Sequence, residues 1–149
     1  MKLKDILKVK GCEVWTIHEN RSIREALGIL VHQRIGALVT LGGEDRVVGI
    51  ISEKDIVRGC FEHGQKFETL RVKDLMTREV IVGSPEDETS YIMGVMTQSR
   101  VRHIPVIAEE KLVGIVSIGD VVKSEIEDSK YVIHYLKEYI HGQNLPTQS

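Results

Sequence analysis

Two short runs carry the clearest chemistry in the chain: Gly49-Ile50-Ile51-Ser52-Glu53-Lys54-Asp55 and Gly114-Ile115-Val116-Ser117-Ile118-Gly119-Asp120. Each follows an apolar run and opens a helix. A carboxylate at such a junction can accept hydrogen bonds from both hydroxyls of a ribose diol. The helix N-terminus offers N–H groups and the positive end of a dipole, which suit a phosphate. The same spacing also reads as a capping box, in which Ser52 and Ser117 satisfy backbone amides. Two details point beyond capping. Asp is shorter than the Glu or Gln that a capping box prefers. A Gly three residues before each Ser has no part in capping, and it lets another chain segment or a ligand approach the backbone closely.

The second chemical signal is Arg100-Val101-Arg102-His103-Ile104-Pro105-Val106, three cationic or titratable side chains ahead of an apolar strand. Cations are favoured at a helix C-terminus in any case, which accounts for Arg100. Arg102 and His103 lie past that end, and the planar fork of Arg suits phosphate oxygens. The corresponding stretch upstream, Arg34-Ile35-Gly36-Ala37, keeps only the first Arg. The later copy, with Ser117 and Asp120, is therefore expected to be the better phosphate site. Pro105 removes a ladder N–H, which places its strand at an edge or beside a ligand.

Catalytic constellations are missing. The six His residues show no HExxH spacing, there is no GxSxG, and no carboxylate dyad stands out. Gly59 to Lys66 resembles a phosphate loop but lacks the Lys and the Ser or Thr that should follow its second Gly. The reading is a binding module rather than an enzyme.

The elements that hold these residues repeat. Gly49–Val57 and Gly114–Val122 match at an offset of 65 with five of nine positions identical. Leu30–Arg34 lies against Met96–Arg100 at 66, and Lys4-Asp5-Ile6-Leu7 echoes Lys73-Asp74-Leu75-Met76 at 69. The chain is a tandem duplication of a unit of about 60 residues. Val14–Ile17 and Val80–Val82 are β-prone. Ser22-Ile23-Arg24-Glu25 opens a helix with apolar positions at helical spacing. Ala37–Leu41 and Val47–Ile51 form one apolar strand pair, His103–Ile107 and Leu112–Val116 the other, and a helix follows each. The unit is β-α-β-β-α, an α/β (α+β) arrangement. Continuous apolar strands imply a sheet covered by helices, and units this small need each other's surface. Residues 1–70 form the first repeat with its linker, 71–128 the second, and 129–149 an amphipathic helix ended by Gly142 with a frayed tail. That helix either contacts a second copy or folds back on its own chain.

These runs resemble a tandem pair of cystathionine-β-synthase (CBS) domains, a Bateman module, over residues 3–128. The nearest likeness is to small stand-alone bacterial CBS-pair proteins, through Val14-Trp15-Thr16-Ile17 and Tyr139-Ile140-His141-Gly142. The resemblance implies two repeats packed through their sheets and a sensor of AMP, ADP or ATP, in some members NAD(H) or S-adenosylmethionine, held between the repeats. It implies that Asp55 and Asp120 hold ribose hydroxyls, that Ser52 and Ser117 reach ribose or phosphate, and that Arg102 and His103 face phosphate. Ile17, Ala37, Val80, Ile81, Val82, Ile104 and the neighbouring Pro105 would flank the base. Arg100 stands close by. Lys54 replaces an Arg common in such proteins, keeping the charge but losing the fork. Ile118-Gly119 lacks that charge, so the two clefts should differ. A flat homodimer with helices at its interface and an unidentified regulated protein complete the expectation. The other reading is a dimerising module whose clefts hold no ligand.

Composition agrees. The 149 residues include 20 Lys+Arg and 22 Asp+Glu, a formal net charge of −2, which argues against a nucleic-acid or anionic-membrane surface. Only 5 % are aromatic, so the core must be aliphatic. The N-terminal residues lack a secretory apolar stretch, and Cys12 and Cys60 match no metal or redox motif, so a cytoplasmic chain with free thiols is expected.

Overall fold

In the computed structural model, residues 1–127 are described; the expected helix around Val132–Gly142 lies outside them. The order is α1 (Leu3–Lys10), β1 (Thr16–His18), α2 (Ile23–Gln33), β2 (Ala37–Leu41), β3 (Val47–Ser52), α3 (Glu53–His63), α4 (Val72–Leu75), α5 (Thr89–Ser99), β4 (His103–Ala108), β5 (Lys111–Ser117) and α6 (Ile118–Glu127). Short 3-10 turns occupy Gly43–Asp45 and Gly64–Thr69. Strand β1 runs parallel to β2, which pairs antiparallel with β3; β4 and β5 form an antiparallel pair. The duplicated α/β plan expected from the repeat is present.

One expected strand is not. Residues 80–82 are extended but unpaired, and only Gly83 joins the second sheet, through a parallel bridge to Val106. The reason lies at Thr77. Its N–H donates to the Ile50 carbonyl at 2.8 Å, and the Ile50 N–H donates back at 3.0 Å, on the edge of the first sheet. The chain must then cross to Gly83, whose N–H donates to the Pro105 carbonyl at 2.8 Å. Residues between these anchors span the gap between sheets. Because Pro105 and Ile107 direct their polar groups towards Gly83, the missing Pro N–H falls on this sparsely paired edge, as its residue type required.

The interior divides into two aliphatic clusters, and each is completed from the other repeat. Leu3, Ile6 and Leu7 of α1 pack with Ile92, Met96, Ile104, Val106, Val116 and Val121 of the second repeat. Val72 and Met76 pack with Ile17, Ile23, Ala26, Leu30, Leu38, Ile51 and Ile56 of the first. A division of the chain at residues 70/71 thus parts each core from its lead segment. The backbone fastens both crossings alike. Leu3 N–H donates to Asp87 O at 3.0 Å, and Thr89 N–H to Met1 O at 2.9 Å. Val72 N–H donates to Arg21 O at 2.8 Å, and Ile23 N–H to Leu70 O at 3.1 Å.

The recurrent glycines serve this crossing. A Cβ at Gly114 would lie 2.7 Å from a methyl of Leu7, and one at Gly49 would lie 2.7 Å from the Thr77 carbonyl oxygen and 3.0 Å from Met76 Sδ. Of the two partners a close approach allowed, the chain segment is the one present.

Burying Leu3, Ile6 and Leu7 is worth roughly 5–9 kcal/mol before chain entropy is charged against it. Leu3 is fully buried. Leu3→Ala should cost about 2–5 kcal/mol. Hydrogen exchange should then accelerate in β4 and β5 well before β2 and β3; the reverse order would contradict the crossed packing.

Candidate functional site

Both capping boxes form in full. Ser52 N–H donates to Asp55 Oδ2 at 2.9 Å while Asp55 N–H donates to Ser52 Oγ at 3.4 Å. Ser117 N–H donates to Asp120 Oδ2 at 2.8 Å and Asp120 N–H to Ser117 Oγ at 3.1 Å. The short Asp side chain therefore does close the box, contrary to the expectation that its length disfavours capping. The next amides are taken as well: Glu53 N–H donates to Gly36 O at 3.0 Å, and Ile118 N–H to Arg102 O at 2.8 Å. With three of the first four amides of each helix engaged, the helix ends are poorer phosphate sites than expected. What these helix starts leave to meet a ligand is mainly side chains.

Those side chains converge between the repeats. A cleft of about 400 Å³ is lined by Ser52, Lys54, Asp55 and Arg58 from the start of α3, and by Val80, Ile81, Arg100, Arg102 and His103 from the second repeat. The crossing segment 77–81 forms its wall, Thr77 and Glu79 included. Asp55 Oδ1 accepts from the Thr77 hydroxyl at 3.2 Å. Lys54 Nζ reaches the Arg100 carbonyl at 3.4 Å and ties α3 to the end of α5. Arg58, one turn beyond Lys54, was not among the expected residues; its i+4 spacing on the same helix face was the available signal.

A second cleft of about 340 Å³ is lined by Lys10, Glu13, Trp15, Arg34, Ala37, His103, Ile115 and Ser117 among others. Asp120 adjoins it through Ser117. The expected grouping of Ser117 and Asp120 with Arg102 is thus not what the fold assembles. The packing of the repeats sets Ser52 and Asp55 beside Arg100 and Arg102, and Ser117 beside Arg34. The cleft richer in cationic side chains is therefore the one that contains Ser52 and Asp55.

Arg34 and Arg100 are equivalent in position and strain. Each caps its helix in the left-handed region, at φ 54° and φ 56°. Glycine or asparagine is usual there, and another residue costs on the order of 1–3 kcal/mol. Each lines a different cleft.

His103 stands between the clefts and lines both. Its ring packs on Gly36, where a Cβ would come within 3.0 Å of Nε2. Burial pushes the imidazole below its usual value, the nearby Glu53 carboxylate opposing and Lys10 and Arg102 reinforcing. Burial would raise the Asp120 carboxyl, but the hydrogen bonds from Lys10 and from Ser117 outweigh it and hold the group below its ordinary value.

The apolar expectations divide. Val80 and Ile81 line the first cleft and Ala37 the second. Ile17 and Ile104 are buried in the two cores and line neither cleft. Pro105 is also buried, and Val82 is half exposed and lines neither cavity. Among the described residues no cluster of His, Cys, Asp or Glu could hold a metal, and no helix is long and apolar enough to cross a membrane.

The comparisons agree with this geometry. The CBS domain family matches the chain twice, at residues 3–62 and 72–127. A CBS-domain containing protein of Agrobacterium tumefaciens superposes with a TM-score of 0.81 at 38 % identity, over 83 % of this chain and 92 % of that one. The CBS domain pair of protein MJ0100, solved with 5′-methylthioadenosine and S-adenosyl-L-methionine, gives 0.73 at 28 % identity over 87 % and 98 %. The mitochondrial CBS domain-containing protein CBSX3 of Arabidopsis thaliana is 32 % identical over 149 residues, 94 % of this chain and 72 % of that protein. Three further curated relatives are longer, and the chain spans 34 %, 39 % and 21 % of them. With two matched repeats and a shared fold, the chain belongs to the CBS-domain family.

Proposed function

We propose that the chain is a non-enzymatic regulatory module that binds an adenosine-containing ligand in the first cleft and signals to a protein partner. The observation that carries this reading is the convergence of Asp55 and Ser52 with Lys54, Arg58, Arg100 and Arg102 on one cavity. A carboxylate acceptor suits the ribose diol, an apolar wall at Val80 and Ile81 suits the base, and four cations suit phosphates. AMP, ADP and ATP fit this charge pattern; S-adenosylmethionine and methylthioadenosine, held by the MJ0100 pair, share the nucleoside. NADH would present the same ribose and phosphate groups. The reading places the chain in the cytoplasm, where nucleotides are abundant.

The module is also proposed to work as a homodimer. Val57 and Phe61 on α3 are 70 % and 89 % exposed, and Val31 on α2 is 70 % exposed. The equivalent positions on α6, Val122 and Ile126, are also exposed, so both repeats present an apolar helix face of the kind an interface covers.

Calorimetry should show saturable binding of at least one of AMP, ADP, ATP, NADH, S-adenosylmethionine or methylthioadenosine. Asp55→Asn should weaken that binding about tenfold or more, in line with a lost pair of hydrogen bonds to a charged group. Heat-silent titrations at millimolar concentration would eliminate the nucleotide reading in favour of a ligand-free dimerising module.

His103 supplies a second check. Its folded value lies below the usual one near 6.5, so the neutral ring contributes stability that is complete above that value. That contribution is lost as the pH falls from there through the folded value. Ring NMR should place the midpoint below 6.5 in the free protein. A phosphate bound nearby favours imidazolium and should raise the midpoint; a midpoint indifferent to AMP would remove His103 from the phosphate site.

Phe61→Lys should convert a dimer to a monomer in light scattering without lowering the thermal midpoint of the folded chain by more than a few degrees. A wild-type monomer at micromolar concentration would refute the assembly.

A further inference from the structure

The two clefts differ in how their carboxylates are engaged, and the difference traces to one residue. In the first cleft Asp55 is approached by the Thr77 hydroxyl, and among the described residues no cation pairs with it. In the second, Lys10 Nζ donates to Asp120 Oδ2 at 2.6 Å and to the Ile115 carbonyl at 3.0 Å. Both side chains of that ion pair are about two-thirds to three-quarters shielded from solvent, at 33 % and 25 % exposure. Thr77 and Lys10 both come from the segments that cross between repeats. They follow Met76 and Leu7, the residues seated on Gly49 and Gly114. The same crossing thus delivers a neutral hydroxyl to one carboxylate and an ammonium to the other.

We propose that Lys10 is a specificity-determining residue that occupies Asp120 from within, so that each chain accepts one ribose-bearing ligand, in the first cleft. The inference rests on the nucleotide reading above. A ribose diol brings two neutral O–H donors. To bind at Asp120 it must displace a charge-assisted bond, which is shorter and about twice as strong as a neutral one. It must also leave the half-buried ammonium with only the Ile115 carbonyl. The position of Lys10 is not freely adjustable. It is the last residue of α1, which Leu7 pins to the second core one turn earlier and Gly11 ends at φ 99°. At the first cleft, the residue counted equivalently from the lead motif is Glu79, of opposite sign, so no ammonium is supplied there.

The test is stoichiometry. AMP, ADP, ATP, NADH, S-adenosylmethionine and methylthioadenosine are titrated into the protein, and the tightest binder is carried forward. The wild type should take one equivalent per chain. Lys10→Met should take two, and the Lys10→Met/Asp120→Asn double variant should return to one. Asp120→Asn alone should leave the affinity of the wild-type equivalent within twofold, whereas Asp55→Asn should lose it tenfold or more. Two equivalents in the wild type, a single equivalent in a folded Lys10→Met, or a larger loss in Asp120→Asn than in Asp55→Asn would overturn the assignment. The Asp120→Asn comparison decides even where Lys10→Met proves unstable. If none of these probes binds the wild type, the nucleotide reading itself fails, which is a different result from binding with the wrong count.

Discussion

The structure depends on a reciprocal crossing. Each repeat folds around a core that lacks its own lead segment and receives that of the other: Leu3, Ile6 and Leu7 in one direction, Val72 and Met76 in the reverse. Neither half-sheet, three strands or two, buries enough alone to hold a domain of this size. The crossing joins two marginal cores into one cooperative object. It also fixes the gap between the sheets, because the chain that leaves Thr77 must span to Gly83. The cleft is the space that this span leaves open.

The site inherits its composition from that geometry. A near two-fold relation sets the start of α3 opposite the turn ahead of β4, and the start of α6 opposite the turn ahead of β2. Each cleft is therefore a hybrid of the repeats, and sequence drift in either repeat alters both clefts. The first has gathered Lys54, Arg58, Arg100 and Arg102. The second has Trp15, Arg34 and a Lys10 already committed to Asp120. Burial of His103 between them links the two electrostatically, since its ring shares a wall with each.

Much of this was legible from the residues, and the limits of legibility have a physical pattern. The strand pairs, the helix starts and the duplication depend on local spacing, and they stand where the runs Ala37–Leu41 and Val47–Ile51 and the Ser-x-x-Asp boxes placed them, β3 continuing one residue to Ser52. The echo at Lys4–Leu7 and Lys73–Met76 marked the lead segments but not their destinations, because a repeat unit looks the same whether its parts pack at home or across. For the same reason the glycines at 49 and 114 announced a close approach without naming what approaches. The grouping of Asp120 with Arg102 followed proximity along the chain, and long-range packing reassigned it. Ile17 and Ile104 entered as flanks of a base through the family resemblance, yet their side chains lie in the cores. Val80–Val82 has strand composition, but Thr77 and Gly83 bond to different sheets and leave the run no partner.

The crossing also bears on how the chain is made. The helix from Leu3 to Lys10 leaves the ribosome well before Val116 and Val121, the residues that complete its seat. During that interval the first repeat cannot finish its own core until Val72 and Met76 arrive. An amphipathic helix must therefore wait, unhoused, until Val116 and Val121 emerge. In a polysome that waiting helix meets nascent copies of the same seat, so the order of synthesis puts intramolecular closure in competition with exchange between neighbouring chains.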